Sequence, residues 1–300
     1  MKRQDLIKRS YRNLRQSKVR TILTALAIAV GATTITLALA AGNGGRAFIN
    51  KHMGDMGVDF RDISVYAATV YDDEGNMQQE GNLCAGDISK LETLDGVGSV
   101  ITNADYELEE FPGCYFSVTV RAKTEADVDR VMEALSQPSD ATKNIGGLYS
   151  EKEDRESLYQ VVNIAQYGLM GFGALAILAS VFGIINTQYI SVLERTREIG
   201  LMKALGMKRK DVLRMFRYEA AWIGFLGGLI GVIIACLITL LNPVINSFLG
   251  IEDPSIRLLI VSPVQALILI ASLMLVAVIS GWLPSRKAAK LDPIQALRTE

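Results

Sequence analysis

Four long apolar blocks divide this chain. Ile22 to Ala41 runs for twenty residues without a charge, about 30 Å as a helix and enough to cross a bilayer. Val161 to Leu193, Ala220 to Gly250 and Leu258 to Leu283 are the other three. Between them lie one sizeable polar stretch, residues 42–160, and one short charged stretch, Glu194 to Glu219. The pattern predicts an α-helical membrane protein with four transmembrane helices and a small α+β domain between the first and second. The expected divisions are a basic amphipathic lead-in at 1–20, spans at 21–41, 161–193, 220–250 and 258–283, a central segment at 194–219, a loop at 251–257 and a tail at 284–300.

Within 42–160 the period of the pattern changes repeatedly. Ala41-Gly42-Asn43-Gly44-Gly45 reads as a break after the first span, with Arg46 to Met56 extending as a stalk. Asp62 to Val70 has strand composition. Ile88, Leu91 and Leu94 fall three apart, with Asp87 before them and Gly96 after, which predicts a short helix. Val97 to Ala104 reads as a strand, Phe111-Pro112-Gly113 as a turn, and Tyr115 to Arg121 as the second strand of that hairpin. Thr124 to Leu135 reads as a helix that Thr124 caps, with Asp127 at the capping-box distance and Val128, Val131, Met132 and Leu135 on its apolar face. With a weak last strand near Ile145 to Tyr149, the order is that of a split βαβ module.

In the central segment, Gly206 interrupts the pattern. After it, Val212, Met215 and Phe216 stand at i, i+3, i+4 among basic residues, a short amphipathic helix. Such a helix could lie on the membrane surface, serve as a connecting turn, or dock into a groove on a soluble partner. In the third block, Gly224, Gly227, Gly228 and Gly231 form two overlapping GxxxG spacings, which suit close helix packing inside the chain or across a dimer.

Half of the residues are apolar and the mean hydropathy is +0.25, which supports the membrane reading. The formal net charge of −1 hides an asymmetry. Met1 to Arg20 carries eight basic residues and one acid, the central segment eight and four, the tail from Ser285 four and two, and residues 42–160 ten and twenty-three. The positive-inside rule therefore puts both termini and the central segment in the cytoplasm and the acidic domain outside, in a multi-pass protein of the cytoplasmic membrane. The first apolar run exceeds the usual signal-peptide core of about 7–15 residues, so it is expected to remain as a membrane helix.

Catalytic and metal chemistry have little to work with. No GxxxxGK[ST] loop, HExxH pair or GxSxG elbow occurs, and His52 is the only histidine. The three cysteines include no CxxC pair. Cys236 reads as a packing residue, and Cys84 and Cys114 are candidates for a disulfide in an oxidising compartment. No metal site, bound cofactor or nucleic-acid partner is expected, and the chain is not expected to be an enzyme by itself.

The wording of the central segment narrows the choice. Glu194-Arg195-Thr196-Arg197-Glu198-Ile199-Gly200, Lys203-Ala204-Leu205-Gly206-Met207 and Asp211-Val212-Leu213 resemble the FtsX-like permeases, membrane subunits of ABC transporters of the MacB and LolC/LolE type. The tail from Arg286 to Arg298 is similar to the ending of that branch, and the lead-in from Leu6 to Leu14 to its beginning. Leu94-Asp95-Gly96-Val97-Gly98-Ser99-Val100 resembles the porter-like part of the MacB-type exported domain, at roughly half the length, so its second subdomain is expected to be missing. The resemblance implies that the segment is a coupling helix seated on a separate ATPase chain, which binds the ATP and Mg. It carries that role to Glu198, Gly200, Lys203, Gly206, Met207, Lys208, Arg209, Asp211, Val212, Arg214, Met215 and Phe216. Replacing Met215 or Phe216 by Asp is then expected to uncouple the ATPase without unfolding the spans. It further implies a homodimer or a heterodimer with a related permease, contact with membrane lipids, a periplasmic or membrane-fusion adaptor, and cargo such as a peptide, lipoprotein or amphipathic drug. A regulator of a cell-wall hydrolase and a peptide sensor are the alternatives.

Overall fold

A computed structural model describes residues 10, 12, 18–71, 77–79, 81–109, 111–251, 253 and 255–290. Most of the lead-in and the tail beyond Lys290 lie outside the described residues. The chain divides into two compact units, residues 49–161 and the remainder.

The larger unit contains four helices long and apolar enough to cross a membrane: α1 (Lys18–Asp55), α4 (Glu151–Glu194), α6 (Arg209–Thr239) and the pair α8 (Pro263–Ser280) and α9 (Trp282–Lys290). This is a multi-pass membrane protein. Short helices α5 (Thr196–Ala204) and α7 (Asn242–Phe248) connect α4 to α6 and α6 to α8. A core of Ile28, Ala32 and Ile35 from α1, Ile184 from α4, Ile223 from α6 and Leu269, Leu273 and Ala277 from α8 joins the four.

Helix α6 is the hub, and its glycines explain why. A Cβ at Gly224 or Gly228 would meet Ala277 or Leu273 of α8, whereas at Gly227 or Gly231 it would meet Ile28 or Ala32 of α1. The two GxxxG spacings thus serve two faces, each against a different helix of the same chain. Thr33 of α1 donates to the Gly231 carbonyl at 3.2 Å, a contact open only because the backbones lie so close.

Three apparent breaks in the pattern resolve differently from expectation. The glycines at 42–45 do not end α1, which continues to Asp55. They sit where neighbours press on it: a Cβ at Gly44 would stand 2.0 Å from the Leu258 carbonyl oxygen, and one at Gly42 an equal distance from Gln166. The span expected at 258–283 starts as helix only at Pro263, and the non-helical residues before it lie beside α1, with the Ile260 N–H on the Ala40 carbonyl at 3.0 Å. The helix of the span expected at 220–250 stops at Thr239, and Asn242-Pro243 opens α7.

In the smaller unit, β1 (Asp62–Ala67), β5 (Val97–Thr102), β8 (Ser117–Ala122) and β9 (Ile145–Ser150) form one sheet in the order β5-β8-β1-β9, every neighbouring pair antiparallel. One face of it, with Ile63, Val65, Val118 and Val120, is buried under Leu91 of α2 (Ala85–Glu92) and Val128, Val131 and Leu135 of α3 (Val128–Ser136). The alternation of β1 and β8 puts those four side chains on one side. Two small sheets complete the unit: β2 (Thr69–Tyr71) with β3 (Met77–Gln79), and β4 (Leu83–Cys84) with β7 (Phe111–Tyr115) and β6 (Glu107–Leu108). Phe111-Pro112-Gly113 therefore belongs to a strand rather than to a turn, and Asp62 to Val70 divides at Ala68. Thr124 does not cap the backbone of α3; its hydroxyl donates to the Asp127 carboxylate at 2.6 Å, and a 3₁₀ turn at Glu125–Asp127 precedes the helix. Cys84 and Cys114 face each other across β4 and β7 and are disulfide-bonded.

Two outcomes follow from this packing. Gly231→Val forces a side chain into Ala32 and the Ala29 carbonyl, so it should lower stability by about 1–3 kcal/mol; an unshifted melting temperature in detergent would contradict the packing. In the smaller unit, hydrogen bonds from Arg61 hold the Asp59 carboxyl down at about 2, against an ordinary value of 3.8. A depressed carboxyl stabilises fully above 3.8 and loses that contribution as the pH falls towards about 2. Asp59→Asn should therefore melt lower than the parent near neutral pH, with the gap closing across that acid range; a constant gap would contradict the pairing.

Candidate functional site

The charged segment folds as two helices with a tight corner. Helix α5 ends in a Schellman motif: Gly206 adopts φ +94, its N–H donates to the Lys203 carbonyl at 3.0 Å, and the Met207 N–H donates to the Met202 carbonyl at 3.0 Å. Only a residue without Cβ takes that backbone region at low cost, so glycine at this corner stops the helix. Helix α6 starts three residues later, with Asp211 in its first turn, where a carboxylate complements the helix dipole.

The corner is tied to the rest of its unit on every side. Val212, Met215 and Phe216 of α6 pack with Val192 of α4, Ile199 of α5 and Ala288 and Ala289 of α9. Phe216 is fully buried. Polar ties surround this cluster. Arg20 donates to both oxygens of Glu194 at 2.6 and 2.9 Å, Lys203 donates to the Ala289 carbonyl at 3.1 Å, and Ser10 donates to the Met215 carbonyl at 3.0 Å. Arg195, 12% exposed, pairs at 3.4 Å with Glu219, 2% exposed.

The residues expected to couple therefore separate into two sets. Gly200, Val212, Met215 and Phe216 are buried in the chain's own interior, and Lys203, Met207 and Asp211 are half-buried. Glu198, Gly206, Lys208, Arg209 and Arg214 are exposed. The amphipathic face read as a docking face is instead the inner face, and the separate short helix does not exist, since α6 runs unbroken from Arg209 to Thr239. Replacing Met215 or Phe216 by Asp would put a charge into that cluster, so the expectation of uncoupling without unfolding is withdrawn. Periodicity located the apolar face correctly but could not say what covers it.

The outer surface of the corner includes two residues not singled out in the sequence. Leu205 is 81% exposed and Leu201, one turn earlier on α5, is 52% exposed. With Ala204 and Gly206 they form an apolar tip beside Lys208, Arg209 and Lys210, all exposed. The available signal was the phase of α5: Ile199 points in, which turns Leu201 and Leu205, spaced i, i+4, away from it.

The cluster makes two stability predictions. Phe216→Ala should cost about 3–5 kcal/mol and lower the melting temperature of the full chain. Glu219→Ala removes the buried carboxylate that pairs with Arg195 and should destabilise by a similar ~3–5 kcal/mol. The double change Arg195→Met with Glu219→Leu should recover most of the loss. Equal melting temperatures for the single variants and the parent would contradict this description.

Residues 170–293, which include the corner and the three helices around it, match the FtsX-like permease C-terminal family. Among curated relatives, an uncharacterised ABC transporter permease of Methanocaldococcus jannaschii, MJ1507, is 28% identical over 67% of this chain and 51% of its own length. The ABC transporter permease YtrF of Bacillus subtilis is 35% identical over 57% of this chain and 40% of its own. The macrolide export ATP-binding/permease protein MacB of Agrobacterium fabrum is 29% identical over 60% and 27%. This chain thus spans between about a quarter and a half of the length of these relatives. Residues 170–293 thus carry an FtsX-like permease C-terminal domain, and the curated relatives support the FtsX-like, MacB-type permease family for that part of the chain.

Proposed function

We propose that this chain is the permease subunit of an ABC transporter, driven by an ATPase carried on a separate chain that binds the ATP and Mg. The observation that carries the reading is the corner: an apolar tip of Leu201, Ala204 and Leu205, flanked by basic side chains, fixed by a buried cluster to the ends of the membrane helices. An exposed leucine pair suits a groove on a soluble partner, and a rigid seat is what transmits a push from that partner to α4, α6 and α9. The 300 residues contain no P-loop of their own.

In this proposal the corner and both termini face the cytoplasm, in line with their basic residues, and the smaller unit faces outward, in line with its acidic balance and its disulfide. The sheet order and antiparallel pairings of that unit support a split βαβ, porter-like module. Two permease copies, the same or related, would act with two ATPases, and an adaptor would extend the route where there is an outer membrane. ATP-driven closure would then move the smaller unit to export or extract a peptide, lipoprotein or amphipathic drug.

The test is purification of the chain with candidate ABC ATPase subunits from the same organism, in nanodiscs, followed by ATPase assays. Leu205→Asp, an exposed change, should leave the melting temperature within about 0.5 kcal/mol of the parent in stability terms while lowering ATPase co-purification and its stimulation at least tenfold. Undiminished capture by the Leu201→Asp, Leu205→Asp double variant would overturn the docking role.

A further inference from the structure

At the end of the helices away from the corner, a cleft of about 1260 Å³ lies between the last turns of α6, helix α7, the connection that follows it and the first turns of α8. It exceeds the ~300–1,000 Å³ usual for small-ligand sites. Its walls are mostly apolar, with Val232, Leu240, Ile256, Val261, Leu267 and Ile270 among them. Leu240 and Leu267 are 73% and 68% exposed, so the apolar wall opens to the surroundings.

Asparagine side chains build the cleft. Asn242 donates to the carbonyls of Thr239 and Leu259 at 2.8 and 2.9 Å and accepts from the Leu259 N–H at 2.9 Å. Asn246 donates to the Ile256 carbonyl at 2.6 Å. Both asparagines are buried, so these bonds tie the 256–259 wall to α7 and fix the shape of the cleft. The side-chain oxygen of Asn246, Oδ1, is buried with no hydrogen-bond partner. Arg257 stands on the lining and is exposed; among the described residues no carboxylate lies within ion-pair distance of it.

We propose that this cleft holds the acyl chains of an anionic glycerophospholipid, with Arg257 pairing the phosphate. A membrane-embedded apolar cleft with a single cation at its rim matches one molecule that carries both an acyl tail and an anion. The cation lies in the connection between helices, at headgroup depth, while Val232 and Ile270 lie along the helices, at tail depth. The proposal rests on the chain spanning a membrane and not on the ATPase reading, so either can fail alone.

Cys236 lines the same cleft and is the one cysteine of three outside the disulfide, which makes it a site for a reporter. The full chain, labelled there with bimane, is placed in phosphatidylcholine nanodiscs containing a minor fraction of either brominated phosphatidylglycerol or brominated phosphatidylcholine. Bromine quenches the dye only on contact. Brominated phosphatidylglycerol should quench roughly five- to tenfold more efficiently than its neutral counterpart, the ratio one basic side chain gives against an anionic headgroup. Arg257→Gln should make the two lipids equal, and Arg286→Gln, at the other end of the helices, should leave the preference intact. Equal quenching in the parent, or a preference that survives Arg257→Gln, would overturn the site. So would loss of the preference on adding inorganic phosphate to saturation, which would make the site one for a free anion.

Discussion

The burial of Val212, Met215 and Phe216 under α5 and α9 is the contact on which the rest of this structure depends. Fully burying side chains of this size contributes about 1.5–3 kcal/mol each, enough to hold a highly charged corner in one position against the repulsion among its basic residues. The same burial decides the outer surface. With those three side chains pointing inward, Leu201 and Ala204 near the end of α5 and Leu205 just after it face outward, and the basic run Lys208 to Lys210 is left at the rim. Because the seat includes residues from α4, α6 and α9, a force on the tip reaches three of the membrane helices directly.

A second constraint lies along α6. Gly224 and Gly228 admit α8, and Gly227 and Gly231 admit α1. In lipid there is no hydrophobic gain from bringing apolar helices together, so close backbone approach and the contacts it opens supply the association. Helix α6 therefore links the corner at its start to the asparagine-built cleft at its end, with two tight helix contacts between. In the proposed cycle it acts as a strut between the ATPase side and the opposite face of the membrane, where the lipid site proposed above would lie.

Much of this could be read from the residues. Twenty or more uncharged residues leave few alternatives to a membrane helix, and four such blocks gave the four long helices. The alternation in β1 and β8 and the 3.6-residue periods of α2 and α3 anticipated the buried face of the smaller unit. What escaped was tertiary. Glycines at 42–45 look like a helix break in one dimension, and only the proximity of Leu258 and Gln166 shows that they accommodate neighbours. The Arg195–Glu219 pair joins residues that the pattern treats as ordinary solvated charges. An apolar helix face indicates that something covers it, but the choice between a partner protein and the chain's own α9 depends on residues some seventy positions away. Beyond Lys290 the tail lies outside the described residues, so its resemblance to the MacB/LolC ending remains a reading of sequence.

The most direct test of the central claim is site-specific photocrosslinking from the corner. A benzoylphenylalanine placed at Leu205, in the full chain co-expressed with a candidate ABC ATPase from the same organism, should yield a permease–ATPase adduct on illumination, and the same probe at Phe216 should yield none. Adducts from 216 with none from 205, or 205 adducts to lipid alone, would contradict the account and return the tip to the membrane surface.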